Sequence, residues 1–309
     1  MAILKIKPST KNYLWGGHRL VDEYGIEHDG DICAEAWLLS CHKDGPSYID
    51  SGEYKGKTLS EYIDIKGKEV LGRSYERFED FPVLIKFIDA KDDLSIQVHP
   101  DDEYALANEG QYGKTEMWYV LDALDNSSLI YGLNKEISKE EFKDRILNNT
   151  LIDVTDRVKV NKGDTFFIKP GTLHAIGKGL LVLEVQQNSN VTYRIYDYDR
   201  ADINGNKREL HIDKALEVTN LNKVINEKND EHLADCDYFT ADKIEIDGEY
   251  KGYVDNDSFL SIIVIDGKGI IKDSNDTIEF KKGSSLFLPA NSKEFIIEGN
   301  CVLLFTRIR

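Results

Sequence analysis

The sequence predicts a mainly β protein, built as two β-barrels with a few helical insertions. Three observations predict it. After the first third of the chain, short runs rich in β-branched and aromatic residues recur, each bounded by Gly, Pro, Asp or Asn. Helical patterns are few and fall between those runs. One strand–turn–strand pattern occurs twice, around Gly163 and again around Gly283.

Taken in order, Thr58–Leu71 reads as a helix, Val83–Ile88 and Leu94–Val98 as strands, Asp101–Asn108 as a short helix and Glu116–Leu121 as a strand. Ser138–Asn148 is the clearest helix. Ser138 followed by Glu141 makes a capping box, and Phe142, Ile146 and Leu147 form one apolar side. Thr165–Ile168, Leu181–Gln186 and Val191–Ile195 read as strands, and His211–Thr219 as a weaker helix. The polar, charged segment Asn220–Glu231 reads as a connector, which predicts domains 1–220 and 232–309. Beyond it come only strands and turns: Tyr238–Ile246, Phe259–Ile265, Thr277–Phe280, Ser285–Leu288, Glu294–Ile297 and Cys301–Thr306.

The repeated pattern sets Val158–Pro170 against Ile278–Pro289, in register once one gap is opened opposite Lys169. Each copy has an alternating strand, a Gly turn, a second strand and a Pro. This Gly-to-Pro pattern resembles the second half of the cupin motif, which implies two double-stranded β-helix (jelly-roll) barrels. Four residues past the Pro, the first copy has His174 and the second Lys293. One barrel therefore offers a metal ligand where the other does not.

Composition bounds the function. At 309 residues, with 41% hydrophobic and 31% charged residues, the chain supports a sizeable core. No apolar run approaches the ~18 residues of a membrane span. A formal net charge of −17 argues against nucleic acid or an anionic membrane as partner, because phosphate backbones need a basic footprint. It leaves room for a small phosphorylated ligand held by a few inward-facing cations. Cys33, Cys41, Cys236 and Cys301 lack metal-site or disulfide-framework spacing and read as reduced thiols. With no hydrophobic leader in the first residues, the expected location is cytoplasmic. No obligate protein partner is predicted.

Three segments hold the candidate chemistry. In Leu94–Asp102, Gln97 and His99 are two apart and face the same side of an extended strand. Glu116 begins a strand, and His174 follows the Pro170 turn. Two imidazoles and a carboxylate with an open position suit catalytic zinc, and equally non-haem iron or manganese. The remaining histidines, His18, His28, His42, His211 and His232, lie in polar or unpatterned contexts and read as ordinary surface or hydrogen-bonded residues.

LSIQVHPDDEYA, KTEMWYVL and GTLHAIGKGLLVLEVQQNSNVTYRIYD, with the early Leu14–Gly17, resemble class I mannose-6-phosphate isomerases of the short bacterial type, in the family's order. The resemblance runs from about Leu14 to about Asp199, more weakly beyond. It implies a zinc-dependent aldose–ketose isomerase, with one Zn²⁺ per chain, that interconverts D-mannose 6-phosphate and D-fructose 6-phosphate. Residue by residue it implies His99, Glu116, His174 and Gln97 as metal ligands, and Lys114, Glu184 and Arg194 as catalytic residues. Ser95 and Lys86 fall where the family contacts substrate or phosphate. Thr115 replaces the family's usual Pro, and Ile176 its usual aromatic.

The chemistry explains the residue types. Isomerisation moves a proton between C1 and C2 through a cis-enediol, so a cation near both oxygens stabilises the enediolate. A general acid/base must reach both carbons, and Lys114 and Glu184 are both candidates. Arg194 offers a fixed fork of donors for an enediolate or phosphate oxygen. Each has a structural alternative: a strand-end lysine, a structural ion pair for Glu184, and a salt bridge from Arg194 to Asp197 or Asp199. Two other functions compete, an iron-dependent cupin oxygenase and a non-catalytic sugar-sensing cupin. Gln97 and the basic groups favour the isomerase, and no DNA-binding segment supports the sensor.

Overall fold

In the computed structural model the described residues are 3–201, 205–225, 231–274 and 276–309, and strands predominate among them. Contacts divide the chain into two compact units. Met1–Lys11, His18–Phe87 and Asn229–Arg309 form one, and Asn12–Gly17 with Ile88–Lys228 the other. This grouping differs from the sequential split 1–220 and 232–309, for a reason of strand pairing. Leu4–Lys7 lies antiparallel between Ser285–Leu288 and Tyr48–Ile49, so the first residues belong to the sheet of the last ones.

That sheet has eight strands. Ala234–Asp235, Phe239–Val254, Lys293–Ile308, Leu260–Lys272, Ser285–Leu288, Leu4–Lys7 and Tyr48–Ile49 follow one another, and Thr277–Lys281 also pairs with Leu260–Lys272. Its core collects Ile262, Val264, Leu286, Leu288, Ile297 and Leu303. Three strands are much longer than the sequence predicts: Glu294–Ile297 and Cys301–Thr306 are one strand, Tyr238–Ile246 continues to Val254, and Phe259–Ile265 continues to Lys272. Glycines that fall outside the predicted strands are aligned across the sheet, Gly248 opposite Gly299 and Gly299 opposite Gly269. A Cβ on Gly299 would sit 2.5 Å from the Lys268 carbonyl oxygen, and one on Gly269 2.4 Å from that of Glu298. Glycine here permits close approach of backbones inside a strand rather than a reversal.

The other unit carries strands of two further sheets. In one, Glu116–Ala123 lies between Thr165–Ile168 and Leu180–Gln187. The other runs Tyr193–Tyr196, Ile96–Val98, His174–Ala175, Ser128–Leu133, Thr155–Lys159. The internal repeat is visible in the fold. Thr155–Lys159, Gly163 at φ 90° and Thr165–Ile168 match Thr277–Lys281, Gly283 at φ 85° and Ser285–Leu288.

The helices follow their caps. Thr58 and Glu61 close a full capping box on Leu59–Lys66, and Gly67 at φ 88° ends it before a short 3₁₀ turn, Lys68–Leu71. In Lys139–Leu147 only half of the expected box forms. Ser138 Oγ accepts from the Glu141 amide at 3.1 Å, while the Glu141 carboxylate turns to Lys135 and Arg145. Phe142 and Ile146 are buried as expected, but Leu147 is 59% exposed and lies off the apolar side. Of the connector Asn220–Glu231, residues 226–230 lie outside the described set. No helix of the described residues is long and apolar enough to cross a membrane.

Phe142 is fully buried with Val98, Ile130 and Leu133 in the core cluster of the second unit, whereas Ser138 only caps. Phe142→Ala should cost about 3–5 kcal/mol by leaving a cavity, and Ser138→Ala about 1 kcal/mol. Equal shifts of the denaturation midpoint for the two variants would contradict this ranking.

Candidate active site

The site lies within the second unit, where residues far apart in sequence meet through strand pairing. His174 is directly opposite Gln97 on one side and Tyr131 on the other, and Gln97 is opposite Arg194. Directly paired residues share a sheet face, so Arg194, Gln97, His174 and Tyr131 form a row across four strands. His99 follows Gln97 at the end of the same strand. Glu116 comes from the other sheet of the unit, opposite Gln186, with Trp118 opposite Glu184 two residues on.

One ligand atom from each of His99, Glu116 and His174 lies within 4.8 Å of the others, and all three residues are buried. His99 Nε2 is 3.7 Å from Glu116 Oε2, and His174 Nε2 is 3.3 Å from Glu116 Oε1. Each imidazole is oriented from behind. Nδ1–H of His99 donates to the Val191 carbonyl and Nδ1–H of His174 to that of Thr172, both at 2.8 Å. A carbonyl can only accept, so Nδ1 carries a proton in both rings, and the neutral ring presents its Nε2 lone pair on the Glu116 side. This is the donor set and outer support that a divalent cation takes from histidine. The Gln97 amide lies 3.3 Å from His174 Nε2, and half a turn about its last bond brings its oxygen to the same place.

Lys114 is 4% exposed, and its ammonium joins the acidic groups. Nζ lies 2.8 Å from Glu116 Oε2, 3.6 Å from Glu184 Oε1 and 3.2 Å from His99 Nε2. It is therefore a buried charge between two carboxylates, not an exposed strand end. Glu184 is fixed through its other oxygen, which accepts from Trp118 Nε1 at 2.8 Å. The Trp118 ring also meets His174 edge-on, with centroids 5.3 Å apart. Sequence reasoning missed Trp118. The available signal was alternation, which puts it on the Glu116 face.

Arg194 forms no ion pair with Asp197 or Asp199. Its guanidinium donates to the Glu209 carbonyl at 3.0 Å, its backbone N–H to His211 Nδ1 at 3.2 Å, and its Nε has no hydrogen-bond partner among the described residues. Burial, then the nearby Arg208, holds the Arg194 pKa below its ordinary value. Burial and the charge of Arg194 likewise lower the pKa of His211 and favour the neutral ring that accepts this bond. Asp197 is committed elsewhere, to Arg200 at 2.6 Å and to Arg208, beside a cavity of about 290 Å³ that Tyr13 and Trp15 also line. Asp199 pairs with Lys207.

Ser95 is buried and two residues before Gln97. Lys86 falls in the other unit, 3.7 Å from Glu35 Oε1, and Glu35 also accepts from Trp37 Nε1 at 2.7 Å. The structure thus gives Lys86 a buried ion pair of its own.

Comparison with known proteins gives a consistent picture. The model for the type I phosphomannose isomerase catalytic domain matches residues 3–123, and that for the mannose-6-phosphate isomerase cupin domain matches residues 229–308. Mannose-6-phosphate isomerase ManA of Bacillus subtilis is 39% identical over 307 residues, covering 96% of each chain. A crystal structure of mannose 6-phosphate isomerase from Bacillus subtilis superposes with a TM-score of 0.90 at 39% identity, over 99% of both chains. A mannose 6-phosphate isomerase solved with bound zinc and yttrium shares the fold, with a TM-score of 0.80 at 18% identity.

Burial pushes the Asp197 pKa up, but the bonds from Arg208 and Arg200 outweigh it and leave the pKa below the ordinary 3.8. A carboxylate with a depressed folded pKa contributes stability that is full above its unfolded pKa and fades as pH falls through the folded one. Asp197→Asn should therefore lower the melting temperature at pH 5–7, and the gap from the parent should shrink as pH drops below about 3.8. A gap constant from pH 6 to pH 3 would show that the charge of Asp197 is not what stabilises the fold.

Proposed function

The chain belongs to the type I phosphomannose isomerase family, and from that premise we propose that it interconverts D-mannose 6-phosphate and D-fructose 6-phosphate through a cis-enediol(ate). The observation that carries this reading is Lys114, buried beside the His99–Glu116–His174 set and within 3.6 Å of Glu184. Proton transfer between adjacent carbons needs a proton carrier next to a place where oxyanions are stabilised.

In this reading His99, Glu116 and His174 hold one Zn²⁺ per chain, with the Gln97 amide oxygen as fourth donor. When bound, a divalent ion there supplies Lewis-acid stabilisation of charge on the substrate oxygens. The remaining work belongs to side chains. Lys114 and Glu184 are close enough to exchange a proton, so either can take it from one carbon and return it to the next. Arg194 faces the same row as Gln97. A cation disfavoured by burial and by neighbouring arginines gains most from an incoming anion, and its Nε is available to the enediolate or the phosphate. Ser95, buried just before the strand of Gln97, is the candidate substrate contact. The ion pair of Lys86 with Glu35 makes it the weaker choice for the phosphate. Residues 1–220 carry the bond-making, and 232–309 contribute stability. Four free thiols suit the reducing cytoplasm.

Purified protein should convert mannose 6-phosphate in a coupled assay, lose activity to a chelator and regain it with Zn²⁺. Absence of turnover with metal restored would refute the reading. Elemental analysis should find about one divalent ion per chain, lost in His99→Ala and in His174→Ala; retention of the ion in the double variant would remove the ligand assignment.

Arg194→Ala should lower kcat about 10²–10³-fold, as when an oxyanion donor is removed, with metal content unchanged. Arg194→Lys should not restore it, since a point charge lacks the planar fork. If kcat holds while KM rises, Arg194 grips phosphate only. Trp118→Phe keeps the ring beside His174 but deletes the N–H to Glu184, and should cost about 10-fold in kcat. A parent-like Trp118→Phe would show that Glu184 needs no such anchor.

A further inference from the structure

The segment that delivers Lys114 and Glu116 is not held by ordinary strand pairing. Gln187 N–H donates to the Thr115 carbonyl at 3.0 Å, as in a regular antiparallel ladder. The return bond, from Thr115 N–H to the Gln187 carbonyl, is missing. Thr115 N–H instead donates to the side-chain Oε1 of the same Gln187, at 2.8 Å. The Gln187 carbonyl is taken by Ser189 N–H and by the Gln186 side chain, both at 2.7 Å. A side-chain amide has replaced a ladder bond at the residue between Lys114 and Glu116.

The other end of that amide is fixed as well. Gln187 Nε2 donates to Asp102 Oδ1 at 2.9 Å, and the same oxygen accepts Gly113 N–H at 2.7 Å. Lys114 N–H donates to the Pro100 carbonyl at 3.0 Å. Three successive amides, of Gly113, Lys114 and Thr115, are thus tied to Asp102, Pro100 and Gln187. Pro100 directly follows His99. The approach is close enough to require glycine at 113, where a Cβ would sit 2.3 Å from the Asp101 carbonyl carbon. The turn after Gln187 reaches His99 too, since Ser189 Oγ accepts Val191 N–H and the Val191 carbonyl holds His99 Nδ1.

We propose that Gln187, clamped by Asp102, is a positioning residue for the isomerase reaction: it sets where Lys114 stands relative to Glu116 and Glu184. This rests on the function proposed above. Gln187 is 1% exposed and touches neither the donor set nor any reacting atom. It acts through the backbone of Thr115. His99 and His174, oriented by Val191 and Thr172, and Glu116, paired in the ladder opposite Ile168 and Gln186, stay in place when the clamp fails, whereas the Lys114 ammonium moves. Misplacement of a catalytic group by ~1 Å costs up to about 10²-fold.

The test uses the full chain with metal bound. Gln187→Glu keeps the acceptor for Thr115 N–H but sets a carboxylate against Asp102. It should lower kcat about 10- to 100-fold, with KM within about twofold and metal content equal to the parent. Amide exchange over residues 111–118 should speed up. Adding Asp102→Asn to Gln187→Glu removes the clash of carboxylates and restores a donor–acceptor pair between the two side chains, though not the Gly113 bond, because one Asp102 oxygen serves both; it should recover part of kcat and of the exchange protection. Asp102→Ala serves if Gln187→Glu does not fold, because Asp102 is half-buried on the first turn of Asp102–Glu109; it should lower kcat in the same direction by less. Parent-like kcat in both single variants overturns the proposal, and so does loss of metal together with kcat, or failure of the paired change to rescue kcat. A parent chain inactive on mannose 6-phosphate would overturn the function instead, and the exchange measurement would still judge the clamp.

Discussion

The arrangement depends on one buried carboxylate. Glu116 is 0% exposed and faces two imidazoles and an ammonium. An ionised carboxylate out of water is costly unless paired and hydrogen-bonded, so everything around it has to bring compensating charge or donors. Lys114 does so directly. The two histidines, with Nδ1–H spent on backbone carbonyls, instead turn Nε2 toward the same carboxylate and complete a donor set that a cation would compensate. A cation-binding centre and a proton carrier thereby share the same oxygens.

Holding those groups together is the work of strands from two sheets. Glu116, Trp118 and Glu184 come from one; Gln97, His174 and Arg194 come from the other as a row of paired residues. Strand pairing fixes such a row tightly, because a slip of one residue would turn each side chain to the opposite face. Where the ladder lapses, at Thr115, the side chain of Gln187 takes over. Around Arg194 a different economy holds. Asp197 binds Arg200 and Arg208, and the Arg194 guanidinium is left to the Glu209 carbonyl, so of these three arginines Arg194 is the one without a carboxylate partner among the described residues.

Much of this was legible in the chain. Gln97-x-His99 at strand spacing, Glu116 at a strand start and His174 after a Pro turn pointed to the donor set, and the doubled Gly–Pro pattern pointed to two related barrels. What was misread followed from glycine. Gly248, Gly269 and Gly299 lie outside the predicted strands, yet they stand in register across three long strands. Leu147 completed an apolar pattern by spacing and still ended exposed, because it closes its helix at the last turn. Trp118 and Gln187 went unremarked because an aromatic or an amide in a strand carries no chemical signature of its own.

By itself the sequence determined the local grammar: which segments alternate, where helices are capped, which residue types can bind a cation, and that only the first repeat carries a histidine after its Pro. Those properties depend on neighbours along the chain. Tertiary structure alone decided that Leu4–Lys7 joins the sheet of Ser285–Leu288, that Lys114 bridges Glu116 and Glu184, that Arg194 escapes Asp197, and that Lys86 pairs with Glu35. The physical reason is that burial and charge pairing depend on distance in space. Residues 68 apart in sequence, such as Glu116 and Glu184, come within reach of one lysine only through the register of the strands that carry them.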